Sequence, residues 1–170
     1  MNINQANELV KKLVGEDDFH DVEDILASYY DIAQTMIATT VCPIEKTFEL
    51  KAGVKTELPK DLYRLVNVPA GYKRVDKNNI IVNGSDNVVA TYYAYPKKLY
   101  DDTPQDTEFE VEAEAQSAIA YYAAAQTVLA DSDMRRYYAF METYNGLLSN
   151  ILASSKEKTV FRVVTQEEMK

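Results

Sequence analysis

Met36-Ile37-Ala38-Thr39-Thr40-Val41-Cys42-Pro43-Ile44-Glu45-Lys46-Thr47-Phe48-Glu49-Leu50 is the stretch in which the chain changes period. Before it, Val22, Ile25, Leu26, Tyr29, Ile32, Ala33, Met36 and Ile37 recur in threes and fours, which predicts a helix over residues 19–39. The β-branched run Thr39-Thr40-Val41 and Pro43 end it. From Thr47-Phe48-Glu49-Leu50 onward, short segments rich in β-branched and aromatic residues alternate with turn signals such as Ala52-Gly53, Pro69-Ala70-Gly71 and Asn83-Gly84-Ser85-Asp86. The last segment, Asn87 to Tyr95, places Val89, Thr91, Tyr93 and Tyr95 on one face, and Pro96 closes it. Closely spaced hairpins of this kind predict a small antiparallel sheet or half-barrel.

Outward from this stretch the helical period holds at both ends. Ile3, Ala6, Leu9, Val10, Leu13 and Val14 precede a stop at Gly15, and the acids Glu16, Asp17 and Asp18 suit the start of the next helix. Past a polar loop at Asp101 to Thr107, Val111, Ala115, Ala118, Ile119, Tyr122, Ala125 and Leu129 mark a third stripe. Asp131-Ser132-Asp133 is a turn with N-cap chemistry, and Met134, Tyr137, Phe140, Met141, Tyr144, Leu147, Leu148 and Ile151 mark a fourth. The expectation is an α+β, mainly α fold. Four helices over about 3–14, 19–39, 110–130 and 133–153 form a bundle from both chain ends, with a small antiparallel β insertion at about 45–98. Residues 1–153 form one domain, and residues 154–170 an extended C-terminal arm. Thr159, Val160, Phe161, Arg162, Val163 and Val164 have strand propensity, either as an edge of the chain's own sheet or as a strand added to a neighbouring protein.

The 170 residues carry 27 acids against 18 bases, a formal charge of −9 that excludes a free-standing DNA binder. The charge is unevenly spread: −6 over residues 1–44, +4 over 45–98, −8 over 99–153 and +1 over 154–170. Met1 to Val10 lacks the basic start and apolar run of a signal peptide, and no run reaches bilayer-spanning length, so a soluble, cytosolically made protein is expected.

Chemistry-bearing motifs are scarce. The lone Cys42 can form no internal disulfide and build no thiolate metal site. His20, the single histidine, sits among Asp17, Asp18, Asp21 and Asp24, where a solvated, charge-paired role is expected. The acidic loop Asp101 to Glu108 lacks the central glycine and spacing of a calcium-binding loop. Glu110, Glu112 and Glu114 alternate, and so diverge around a helix instead of pairing. No nucleophile elbow or phosphate-cradling glycine loop is present, so no catalytic residue, metal or cofactor is assigned. Tyrosine is the unusual residue: thirteen, with no tryptophan and four adjacent pairs. Neighbours on a helix point about 100° apart, so one of each helical pair leaves the core stripe. Tyr30, Tyr121 and Tyr138 are therefore candidate subunit contacts, together with the basic residues Arg64, Lys73 and Arg74.

Glu57-Leu58-Pro59-Lys60-Asp61-Leu62-Tyr63-Arg64-Leu65-Val66-Asn67-Val68, then Tyr92-Tyr93-Ala94-Tyr95-Pro96-Lys97-Lys98-Leu99-Tyr100-Asp101-Asp102, lead into the helix Phe109 to Ala125 and on to Tyr137-Tyr138-Ala139-Phe140-Met141-Glu142-Thr143-Tyr144. In order and texture, over about residues 46–152, this resembles the head–tail adaptor (connector) proteins of tailed bacteriophages. The resemblance implies a ring, commonly of twelve subunits, beneath the portal at the capsid vertex. Its partners would be the portal protein, a tail-side ring or tube protein, further copies of itself, and genome DNA passing through without sequence-specific binding. It implies a place in the virion neck after assembly in the host cytoplasm, no membrane partner, and no enzyme activity. By analogy of position, Thr159 to Val164 would dock on the portal or clasp a neighbouring subunit. Acidic helix faces would repel the duplex instead of gripping it, and the basic sheet would meet acidic neighbours around the ring. The alternative is a cytosolic oligomeric binding or regulatory module with no virion role.

Overall fold

A computed structural model describes the backbone of residues 1–167 and the side chains of residues 1–154. The chain divides into two units: Met1–Cys42 with Lys98–Lys170, and Pro43–Lys97.

The first unit is helical. Helix α1 (Ile3–Val14) starts in a capping box, with the Asn2 side chain accepting from the Gln5 amide at 2.9 Å and the Gln5 side chain accepting from the Asn2 amide at 3.1 Å. It ends at Gly15, whose φ of 101° is open to glycine at little steric cost. Helices α2 (Glu16–His20) and α3 (Leu26–Thr40) follow, joined by a 3₁₀ turn at Glu23–Ile25. After the insertion come α4 (Ala113–Ala130) and α5 (Met134–Glu167). Helix α4 is the centre: α1, α3 and α5 all pack on it, and Ala115, Ala118, Ile119, Ala120, Ala123, Ala124, Ala125, Thr127 and Val128 are buried around its whole circumference. Alanine makes this possible, because its small side chain lets three helices approach one axis. The single amphipathic stripe expected there gives way to all-round burial, and Leu129, assigned to the stripe, is exposed.

The second unit contains two three-stranded antiparallel sheets. One orders β1 (Ile44–Leu50), β6 (Val88–Ala94) and β3 (Leu62–Asn67), with β6 central. The other orders β2 (Thr56–Glu57), β5 (Asn79–Val82) and β4 (Tyr72–Arg74). β1 and β6 pair in register from Ile44↔Ala94 to Leu50↔Val88, so the two ends of the insertion zip together. Leu50, Leu58, Ile80, Val82 and Ala90 form the buried core of this unit, flanked by Phe48, Leu62 and Leu65.

Several features correct the expected mainly α, four-helix fold. Among the described residues there are five helices, with a helix content of 48%, and the strands form two sheets instead of one. The helix expected over 19–39 is broken at Asp21–Val22, where Val22 adopts φ −125°, ψ 2°. Asp17, Asp21 and Asp24 would stack like charges at helical spacing there, and aspartate is a poor helix former. The extended arm expected over 154–170 is instead a continuation of α5 to Glu167, because no glycine or proline stops the helix after Ser154. The side chains of Thr159 to Val164 lie outside the described residues. Among the described residues, no helix is long and apolar enough to cross a membrane.

Candidate functional site

Among the described residues, no group of three or more His, Cys, Asp or Glu side chains is placed to hold a metal ion. His20 is largely exposed, with Nδ1 3.5 Å from the Glu23 carboxylate. Cys42 is buried, and burial first, then the charges of Glu112 and Glu114, push its thiol away from ionisation. The acidic loop serves as a strap: the Ile3 amide donates to the Thr107 carbonyl at 3.1 Å, the Asn4 amide to the Gln105 carbonyl at 2.9 Å, and Asn7 Nδ2 to Gln105 Oε1 at 3.0 Å. Its backbone oxygens thus satisfy amides that α1 cannot satisfy within its own first turn. A further link ties the start of the chain to α4, as the Met1 amino group donates to Gln116 Oε1.

The sequence-predicted contact residues separate into distinct environments. Tyr30, a candidate subunit contact, is fully buried; its ring meets Phe109 edge-on at 5.6 Å and its hydroxyl donates to Asn7 Oδ1 at 2.7 Å. It is a core residue, and burial raises its phenol well above the ordinary value. The buried stripe of α3 runs Leu26, Tyr30, Ala33 and Ile37, so the pair's inward member is Tyr30 and Tyr29 is half-buried. Tyr121 is half-buried against Phe140, with ring centroids 6.4 Å apart. Tyr138 is 63% exposed and stands beside Tyr137. Arg64, Lys73 and Arg74 are all exposed on the second unit.

Two exposed faces combine apolar and charged groups. On the second unit, the Tyr63 and Tyr95 rings pack at a 59° tilt with centroids 5.2 Å apart, and Tyr63 also lines an open groove of about 410 Å³ with Lys60, Arg74 and Lys77. Glu57 is the one acid lining that groove. On the first unit, α3 and the turn before it expose Ile25, Ile32 and Met36. Ile32 borders a groove of about 530 Å³ shared with Asp31, Lys98, Tyr100, Asp101 and Asp102. A groove of about 390 Å³ adjoins it at Tyr100 and Asp101 and reaches Asp24.

One residue that sequence reasoning passed over holds the helical unit together. Arg136 donates through Nη2 to the carbonyls of Leu13 (3.1 Å) and Val14 (2.5 Å), and through Nη1 to Asp18 at 2.9 Å. It thereby caps the C-terminus of α1 from α5. The available signal was compositional: Arg135 and Arg136 are the two bases among ten acids over residues 99–153. No family model and no curated protein matches the chain.

Proposed function

We propose that this chain is a structural head–tail adaptor of a tailed bacteriophage, a ring beneath the portal that joins capsid to tail and continues the DNA channel. The observation that carries the reading is the insertion itself: a strand-rich unit, Pro43–Lys97, enters between the two halves of a helical unit, in the order the resemblance implies. Charge follows the same division. The inserted unit carries nine bases against six acids, whereas the remainder carries nine bases against 21 acids. An acidic helical body suits a ring through which DNA slides, since it repels phosphate. The role is structural, with the portal on one side and a tail-side ring or tube protein on the other.

Electron microscopy of the protein mixed with its portal tests the proposal. A ring seated on the portal, and the protein at the portal–tail junction of mature particles, are expected. Absence from that junction overturns the reading and leaves the cytosolic binding module in its place.

A further inference from the structure

We propose that the α3 face of one copy docks on the Tyr63 face of the next, in a heterologous contact that repeats from subunit to subunit. The occupant of each face is thus a second copy of this chain.

The argument rests on complementarity in two properties at once. The α3 face presents Ile32, 45% exposed, and Tyr100, 58% exposed, above the carboxylates of Asp101 and Asp102. The other face presents Tyr63, 40% exposed, packed at a tilt against Tyr95 and bordered by Lys60, Arg74 and Lys77. Large apolar side chains left in water on both surfaces favour mutual burial. The rims carry opposite net charge: Asp31, Asp101 and Asp102 outnumber Lys98 on the first, and Lys60, Arg74 and Lys77 outnumber Glu57 on the second. Lys60, Arg74 and Lys77 have no ion-pair partner among the described residues, and neither do Asp101 and Asp102. Opposed charged rims steer encounter and fix register, while like-charged copies of one face repel each other.

Symmetry follows from this mismatch. Neither face is self-complementary, so a two-fold contact that joins a face to its own copy would set acid against acid or base against base. A contact between two different faces leaves each subunit with one free donor and one free acceptor face. Such contacts propagate, and they close into a ring when the rotation between copies permits. Only this closure rests on the adaptor reading; the pairing of faces stands on the residues themselves.

Engineered disulfides test the pairing directly, and buried Cys42 gives a quiet background. The full chain carrying both Ile32→Cys and Tyr63→Cys should give an oxidised ladder extending beyond dimer on a non-reducing gel. A mixture of the two single variants should stop at dimer, and each single variant alone should stay uncross-linked. No cross-link, an internal disulfide in the double variant, or a dimer from either single variant overturns the inference.

Charge reversal supplies a second arm that does not depend on sulfur geometry. Arg74→Glu with Lys77→Glu, and separately Asp101→Lys with Asp102→Lys, should each weaken self-association by at least about tenfold in light scattering. Mixing the two reversed chains should restore assembly, because each acidic face then meets a basic one. Undiminished assembly of either variant, or failure of the mixture to recover, refutes the pairing. Portal binding by the wild-type chain is read separately, so loss of this interface and loss of the adaptor reading are distinguishable.

Discussion

Arg136 Nη1 stands 2.9 Å from the Asp18 carboxylate, although 118 residues separate the two in sequence. The guanidinium does two things there. Its Nη2 meets the Leu13 and Val14 carbonyls, which α1 leaves without helical partners, and its Nη1 fixes the first turn of α2. Its Cζ also lies 5.9 Å from the Phe140 ring centroid. The start of α5 is thereby joined to the break between α1 and α2, on either side of the inserted unit in sequence.

Arg136→Ala removes a charge-assisted cap and leaves two carbonyls to water. Hydrogen bonds to charged groups contribute about 1.5–3 kcal/mol each when buried, and partial exposure here brings the expected total loss to about 1–3 kcal/mol. Arg136→Lys should recover less than half, because an ammonium cannot span Asp18 and the carbonyls as the planar fork does. Urea midpoints check both variants, and an Ala midpoint equal to wild type defeats the capping argument.

Tyr30 makes the alkaline limit of stability a property of the core. Burial raises its phenol, as it does for Tyr92, Tyr122 and Tyr144. An acid with a raised folded pKa stays protonated while the unfolded chain ionises at about 10. The unfolded state then binds fewer protons, so stability is intact below about pH 10 and falls as pH rises toward the folded values. Phenolate absorbance should show a late-ionising class, released only on unfolding, to which the buried Tyr30 belongs. Tyr30→Phe should cost about 1 kcal/mol at neutral pH, through the lost bond to Asn7, and should shallow the alkaline decline. A single titrating class would contradict the buried assignment.

On the acid side the sign reverses, and the insertion is the unit affected. Burial opposes ionisation of Asp61, but hydrogen bonds from Lys46 Nζ at 2.9 Å and Tyr92 Oη at 3.1 Å outweigh it and hold the carboxyl below the ordinary value. Asp76, bonded by the Asn79 side chain, the Asn78 amide and Lys55, is brought down to about 2. Depressed carboxyls contribute stability above their unfolded value of about 3.9 that is lost as pH falls through the folded one. Carboxyl titration by NMR should place Asp76 well below the ordinary carboxyl value, at about 2. An ordinary value there rules out the turn geometry around Asn78 and Asn79.

The two strongest local signals, the change of period after Thr40 and its return before α4, were legible because they depend on neighbours in sequence. What was illegible depended on distance. The zipping of Ile44 to Ala94 makes β1 and β6 partners across the whole insertion, and no hairpin signal marks such a pair. The break at Asp21–Val22 is hidden because the apolar spacing from Val22 to Ile37 runs through it, and that spacing fits two neighbouring stripes, of which α3 buries the one through Tyr30 and exposes Ile32. Arg136 has no motif at all, since two of its partners are backbone carbonyls whose identity carries no sequence information and the third, Asp18, lies 118 residues away. The two exposed faces were half legible. The basic middle block showed in the charge count, while the α3 face was hidden inside a stripe that read as core.

Helix α4 offers the sharpest test of the packing that carries all this. A stripe model predicts that Ala120, Ala123 and Ala124, off the expected stripe, tolerate larger side chains. The structure buries all three completely, with α1, α3 and α5 packed on the same helix. Ala124→Leu adds three carbons where close-packed helices have no void, and overpacking of this kind costs about 1–3 kcal/mol. Leu has nearly the helix propensity of Ala, so the loss would report packing and not helix formation. Leu129→Ala, at an exposed position, should shift the midpoint by no more than about 0.5 kcal/mol. Equal midpoints for Ala124→Leu and wild type, measured by urea unfolding, would return α4 to the rim of the bundle and remove the common axis about which the other helices are arranged.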